Sequence, residues 1–156
     1  MDENYGENPP ACGYVVLNKS LTNSLFYYNN FDSVKGDPVI AQDYYYYLQS
    51  KWKDGSPLLN PDSNISNYSY PGNSDIINSG NWSEVTVGNI PHDRRMLGTI
   101  RVDDFAPGDK VCLDYALIYA RDTTLNNLEQ LDHLFAMTDS IQNFYNNHYD
   151  DCEDVS

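Results

Sequence analysis

The residues around His92 are the first candidates for chemistry in this sequence. His92 lies in a run of charged residues, beside Asp93, Arg94 and Arg95. Because a histidine among charged neighbours can line a ligand pocket, we take His92 and Asp93 as candidate ligand-binding residues. The alternative, which we favour, is that Asp93 caps a turn and pairs locally with an arginine.

The sequence carries no recognisable catalytic motif. It has no nucleophile elbow, phosphate loop, zinc-binding helix or Cys–His signature. Two carboxylates that meet in space can hydrolyse glycosides, but the spacing of the acidic residues singles out no pair. We therefore predict that the chain is not an enzyme and assign no catalytic residue, with a carboxylate-pair hydrolase as the third functional alternative.

Acidic residues flank one turn and suggest a metal ligand set. Asp103, Asp104 and Asp109 surround a Pro-Gly pair, and calcium prefers such hard oxygen ligands. The spacing matches no known calcium loop, and acidic turns are more often simply solvated. Calcium is thus a candidate ligand of this turn, and we predict no other cofactor.

Aromatic side chains in a long polar stretch are candidates for sugar binding. Tyr68, Tyr70 and Trp82 lie within residues 56–83, which are rich in Asn, Ser, Pro and Gly and which we predict to be a surface loop. Exposed Tyr and Trp rings can stack on sugars, and loops often carry function. The alternative, which we favour, is that these rings pin the loop to the body of the protein.

The three cysteines, Cys12, Cys112 and Cys152, are too widely spaced for a zinc or redox motif. The sequence allows one disulfide with one free thiol, or three reduced thiols. We favour a reduced Cys112 that packs as a small hydrophobe.

The strong negative charge excludes some partners. With 23 acidic and 9 basic residues the formal net charge is -14, which opposes binding to nucleic acids and anionic membranes. Divalent cations, basic partners and neutral sugars remain open. No apolar run reaches the roughly 18 to 20 residues of a membrane helix, so we predict no membrane insertion.

Hydrophobic periodicity predicts an α+β fold, an antiparallel sheet or sandwich with two amphipathic helices packed against it. The predicted helices span 38–53, after an Asp37-Pro38 start, and about 127–146, after an Asn126/Glu129 capping box. The predicted strands are 14–17, 24–31, 94–102 and 111–121. We expect the last two to pair across a type II turn at Pro107-Gly108, with 111–121 as a central strand because both of its faces are apolar.

The length of 156 residues predicts a single domain, 1–156. Within it we expect an extended lead-in at 1–13, the long loop at 56–83 and an acidic tail at 147–156.

An ordered set of short segments resembles the C-terminal region of large secreted Bacteroidetes surface proteins that are exported by type IX secretion. Tyr5–Pro10 resembles "YGDNPP", Asp43–Leu48 with Trp52–Pro57 resembles "DYYNYLRGIWKDGTP", Pro91–Arg95 resembles "PxDRR", and Phe105–Gly108 through Arg121 resembles "GPFTLAPGE" followed by "VWAR". The departures are Asn60–Asn73 in place of a Gly-rich segment and Asp103-Asp104-Phe105 in place of "GPF". The resemblance implies a secreted or cell-surface location and an excised part of a larger protein, but it transfers no functional residue.

The same resemblance suggests glycosylation. Ser33, Thr123 and Ser140 each follow an Asp in the short pattern of O-glycosylation of exported Bacteroidetes proteins. Ser140 is the weakest of the three because it falls within a predicted helix.

These observations together predict a structural or interaction module of a secreted or cell-surface protein, with a protein or glycan partner. The first alternative is a carbohydrate-binding module that uses the loop aromatics.

Overall fold

The structure is a computed structural model that describes residues 5–6, 8–71, 80–90 and 92–150. Within these residues the chain forms two helices and two antiparallel two-stranded sheets, so the predicted α+β class is confirmed. In chain order the elements are β1 (Ala11–Val16), β2 (Asn23–Tyr28), α1 (Ala41–Tyr47), β3 (Arg94–Thr99), β4 (Tyr115–Ala120) and α2 (Glu129–His148).

The chain divides into two compact units. The terminal unit comprises residues 1–20 and 102–156, and the central unit comprises Leu21–Arg101. β1, β4 and α2 belong to the terminal unit, whereas β2, β3 and α1 belong to the central unit.

Small residues let a helix lie close to the sheet of the terminal unit. β1 pairs antiparallel with β4, and Ala11 lies opposite Ala120. Both alanines are buried with Ile118 of the same sheet and Leu134 of α2. Because side chains alternate along a strand, every second residue of β4 faces this core.

Reciprocal side-chain hydrogen bonds fix the start of α2, as the sequence predicts. The Asn126 carboxamide oxygen accepts from the Glu129 backbone N–H at 3.0 Å, and the Glu129 carboxylate accepts from the Asn126 N–H at 2.9 Å. The fully buried Gln130 then joins α2 to the end of β4, since its carboxamide exchanges two hydrogen bonds with the backbone of Asp122.

Aromatic residues build the core of the central unit. β2 pairs antiparallel with β3, and Leu25 lies opposite Leu97. Leu25, Tyr27, Tyr47 and Leu58 are buried together. The Tyr47 hydroxyl donates to the Gly36 carbonyl at 2.6 Å, so a loop is anchored to this core by a side chain.

The first predicted helix is much too long. α1 covers Ala41–Tyr47 only, and the Asp43 carboxylate accepts from the N–H groups of Val39 and Ile40 at its start, where we expected Asp37 to act as the cap. The helix ends early because Ser50 has a left-handed backbone (φ +54). The longer helix would place five apolar residues on one face, Ile40, Tyr44, Tyr47, Leu48 and Trp52. Of these only Tyr47 is buried, and Tyr44, at 50 %, is half exposed.

The predicted pairing of the two late strands is wrong. The turn between them is as expected, since the Asp109 N–H donates to the Ala106 carbonyl and Gly108 has φ +106, as a type II turn requires. This turn does not connect the two strands of a hairpin, because β3 pairs with β2 and β4 pairs with β1. Distant pairing prevails because it buries the apolar side chains of each unit.

β4 is also not a central strand. Ala116, Ile118 and Ala120 face α2, whereas Tyr115, Leu117 and Tyr119 on the other face are more than half exposed. Both faces are apolar in sequence, but β1 is its one strand partner in the described chain and α2 covers one face.

The long polar loop is described over residues 56–71 and 80–83. These residues form no strand and only isolated bridges, between Lys51 and Pro57, Leu59 and Ile65, and Ser24 and Tyr68.

The preferred interpretation of Cys112 as a reduced thiol is wrong. Cys112 is disulfide-bonded, whereas Cys12 is free and exposed. Cys152 and the end of the predicted acidic tail lie outside the described residues. No helix in the described ranges is long and apolar enough to cross a membrane.

Candidate functional site

The central unit contains a cavity of about 460 Å³, called the aromatic cavity below because six of its lining residues are aromatic. Tyr70 from the middle of the long loop and Trp82 from its end both line it, together with Trp52. The cavity is also lined by Phe26, Tyr28, Lys35, Glu84, Asn89 and Arg94, among others.

β2 supplies one wall of the cavity through three consecutive aromatic residues, Phe26, Tyr27 and Tyr28. Phe26 and Tyr28 point away from the buried Leu25 because side chains alternate along a strand, whereas Tyr27 belongs to the buried core and lines the cavity as well. The Phe26 ring lies 5.8 Å from the ring of Tyr70. The strand thus contacts the middle of the loop through an aromatic pair.

Tyr70 is held in an unusual backbone conformation. Its φ of +51 lies in the left-handed region, which a bulky residue adopts only when its surroundings impose it. The surroundings here are the Trp82 ring, edge-on at 5.4 Å, and the Asn89 carboxamide, which donates to the Tyr70 hydroxyl oxygen at 2.9 Å. Both contacts direct Tyr70 towards the cavity.

The Tyr70 hydroxyl keeps its proton at neutral pH. Burial, and secondarily the negative charge of Glu84, raise its pKa to about 12. Because its oxygen already accepts a hydrogen bond from Asn89, the hydroxyl has its hydrogen available for an acceptor on a ligand.

Arg94 is the most constrained cation of the cavity. Its Nε lies 3.2 Å from Glu84 Oε1, one of its terminal nitrogens donates to the Ile90 carbonyl at 3.0 Å, and its guanidinium lies 4.5 Å from the Tyr28 ring centroid. The ion pair is mostly buried on the arginine side, where the side chain is 17 % exposed. Arg94 and Glu84 therefore present fixed polar groups beside aromatic rings.

A second cavity of about 380 Å³ adjoins the first through shared residues. Tyr28, Asn89 and Arg94 line both, and the second also includes His92. The structure therefore brings Tyr70 and Trp82 together and places His92 close by, next to the same arginine.

Two of the predicted ligand residues lie elsewhere. Tyr68 does not line the aromatic cavity, and its hydroxyl donates to the Leu21 carbonyl at 2.8 Å, which agrees with the interpretation that it pins the loop. Asp93 accepts a hydrogen bond from the Asn29 carboxamide.

The predicted local pairing of Asp93 with an arginine is wrong. Arg94 pairs with Glu84, and Arg95 lies 3.3 Å from Asp37. Neighbouring side chains along a strand point to opposite faces, so the two arginines pair with different acidic residues that are distant in sequence.

Sequence reasoning missed most of the polar lining. Arg94 was considered only as a partner of Asp93, Glu84 was not considered, and Asn89 belongs to no recognisable pattern. A basic residue that begins a strand, ten positions after an isolated acid, was the one hint of the Glu84–Arg94 pair.

The acidic turn shows no metal cluster. Asp109 accepts from the Ala106 N–H at 2.6 Å, and Asp103 and Asp104 are exposed. In the described part of the chain no three acidic, cysteine or histidine side chains are grouped to hold an ion. Calcium binding at this turn thus stays a prediction from sequence.

The candidate glycosylation residues are all exposed. Ser33 and Thr123 lie in turns in which the preceding Asp accepts from a backbone N–H two residues further on. Ser140 lies inside α2, and its hydroxyl donates to the Ala136 carbonyl.

The comparisons with known proteins give no relative. The chain matches no protein-family model, no curated protein and no solved structure.

Proposed function

We propose that the chain is a non-catalytic interaction module of a secreted or cell-surface protein and that it binds carbohydrate in the aromatic cavity. The observation that carries the proposal is the meeting of Tyr70, from the middle of the loop, and Trp82, from its end, in one cavity of about 460 Å³. The secreted or cell-surface location rests on the sequence resemblance.

The lining suits a sugar better than a purely apolar ligand. Sugars present apolar ring faces and a belt of hydroxyl groups, so they need both aromatic surface and oriented polar groups. Trp82 and Tyr28 supply the first, and the Tyr70 hydroxyl, Arg94 and Glu84 supply the second. The overall charge of -14 opposes nucleic acids as ligands.

Thermal unfolding with a panel of soluble glycans tests the proposal. A ligand at about 100 times its dissociation constant stabilises the folded state by about 2.7 kcal/mol, which raises the melting temperature of a chain of this size by several degrees. Millimolar calcium in the same assay tests the Asp103–Asp109 turn.

Variants locate the binding site. Tyr70→Phe keeps the ring and removes the hydroxyl, and Trp82→Phe reduces the aromatic surface; each should weaken glycan binding by up to about tenfold. Phe31→Ala is the matched control because this aromatic is 98 % exposed and outside the cavity. Loss of affinity in the control alone, or no binding of any glycan, would reject carbohydrate recognition and leave a module that contacts protein.

A further inference from the structure

The end of α2 forms a second aromatic pocket, in the terminal unit. It has a volume of about 300 Å³ and contains a carboxylate among its rings. Its lining residues are Leu17, Asp114, Tyr115, Ile141, Phe144, Tyr145 and Tyr149.

The last turn of α2 arranges three of the rings. Tyr149 follows the helix in an extended conformation, and its N–H donates to the Tyr145 carbonyl at 3.0 Å. Its ring lies nearly parallel to that of Tyr145, at 5.8 Å, and at a steep angle of 63° to that of Phe144, at 6.0 Å. The rings of Tyr145 and Tyr149 therefore stand at an angle to the Phe144 ring around the pocket.

Several hydrogen bonds hold the carboxylate of this pocket in place. Asp114 Oδ2 accepts from the buried Tyr145 hydroxyl at 2.7 Å. The Asp114 backbone N–H donates to the Asn18 carboxamide oxygen at 3.0 Å, and its carbonyl accepts from the Leu17 N–H at 2.8 Å. The disulfide at Cys112 further constrains this segment.

Asp114 lacks a cationic partner in the described chain. The ion pairs there involve other acids, and Asp114 is half-buried beside rings that carry no positive charge. A half-buried carboxylate is more stable with a cation nearby. A positively charged ligand in the pocket would therefore supply the counter-charge that the described chain does not give to Asp114.

Two further electrostatic effects favour a cation in this pocket. The pocket lies at the C-terminal end of α2, a helix of 20 residues, where the helix dipole presents its negative end. The chain as a whole carries a formal charge of -14, which draws cations towards its surface.

We propose that this pocket binds an alkylammonium group, with Phe144, Tyr149 and Tyr115 as the aromatic walls and Asp114 as the counter-charge. Aromatic rings attract cations through their negative faces, and cages of such rings recognise quaternary ammonium groups. Phe144, Tyr149 and Tyr115 are each more than half exposed, so a ligand can reach them. The site is separate from the cavity of the central unit and does not depend on the carbohydrate proposal.

Calorimetric titration of the full chain with tetramethylammonium and choline tests the charge requirement. The matched neutral probe is 3,3-dimethylbutan-1-ol, which has the shape of choline but a carbon in place of the nitrogen. We expect saturable binding of both cations and at least about tenfold weaker binding of the alcohol. Equal binding of the alcohol, or no saturable binding of either cation at tens of millimolar, overturns the proposal.

Variants assign the binding to the pocket. Asp114→Asn and Phe144→Leu should each weaken choline binding by about tenfold, and Phe31→Ala, in the other unit, should leave it unchanged. Asp114→Asn removes a hydrogen-bonded carboxylate and can disturb the folding of the terminal unit. Phe144→Leu replaces a half-exposed side chain, so this second variant stays folded and still tests the pocket. Unchanged affinity in folded Phe144→Leu rules out this pocket as the site.

The source of the alkylammonium group is settled by a second set of probes. Peptides that carry lysine or trimethyllysine represent a protein partner, and choline represents a small molecule. Tighter binding of either peptide than of choline identifies a basic protein segment as the ligand, and the reverse order identifies a free quaternary amine.

Discussion

The terminal and central units reach compact structures by different means. In the terminal unit, β1, β4 and the 20-residue α2 place small and branched aliphatic residues in a regular core. In the central unit, α1 has 7 residues, and the core depends on aromatic side chains such as Tyr47, whose hydroxyl anchors a loop carbonyl. Regular backbone pairing stabilises the first unit, and side-chain anchoring of loops stabilises the second.

This difference bears on where cavities form. Loops held by individual side chains leave space between them, and the aromatic cavity of the central unit lies among such loops. In the terminal unit the pocket lies where the regular structure stops, at the end of α2.

The largest expected effect comes from removing the centre of the aromatic core. Leu25→Ala truncates a side chain that is 0 % exposed and should lower the free energy of unfolding by about 2–5 kcal/mol, because it leaves a cavity among rigid rings. Leu117→Ala, at a leucine that is 79 % exposed in the terminal unit, is the control and should change it by less than about 0.5 kcal/mol. Chemical denaturation measures both, and equal effects would contradict the assigned core.

The two units also differ in how well the sequence predicts them. Period-two alternation located β4, and the Asn126/Glu129 pattern located the start of α2 within two residues, because these signals arise from local backbone geometry. Strand partners were not predictable in the same way. Pairing of β4 with β1 is decided by which distant apolar face fits, and a Pro-Gly turn nearby gave the wrong answer.

The candidate site was only partly predictable for a related reason. Tyr70 and Trp82 stood out as aromatics in a polar loop. Arg94, Glu84 and Asn89 did not, because common polar residues acquire a role only once the fold brings them together. The early end of α1 was equally hidden, since the left-handed Ser50 follows from tertiary contacts: its hydroxyl donates to the Asn67 carbonyl at 2.6 Å.

Alkaline pH should destabilise the central unit through its tyrosines. Burial raises the pKa of Tyr47 well above its ordinary value and that of Tyr70 to about 12. Their contribution to folding is complete below pH 10, the ordinary tyrosine value, and is lost as the pH rises through the folded-state pKa. The denaturant concentration at the unfolding midpoint, measured from neutral pH upward, should decrease once the pH exceeds 10.

Phenylalanine substitutions test the assignment of this alkaline loss. The side chain introduced by Tyr70→Phe cannot ionise, so this variant should lose part of the dependence and keep the part that is due to Tyr47. Tyr45→Phe, at a tyrosine that is 62 % exposed, should leave the dependence unchanged. A flat profile in the unmodified chain would mean that these hydroxyls are solvated.

The smallest expected effect belongs to the terminal unit and concerns one helix cap. Asn126→Ala removes a carboxamide oxygen that accepts from the N–H groups of Leu128 and Glu129, and it should cost about 1 kcal/mol. The neighbouring Asn127→Ala is a matched control, because Asn127 is exposed and has no such hydrogen bond in the described chain. Chemical denaturation followed by helical circular dichroism compares the two. A loss confined to Asn126→Ala shows that local backbone signals stabilise this unit, whereas equal values for the two variants would mean that Gln130 and the packing of Leu134 hold α2 without the cap.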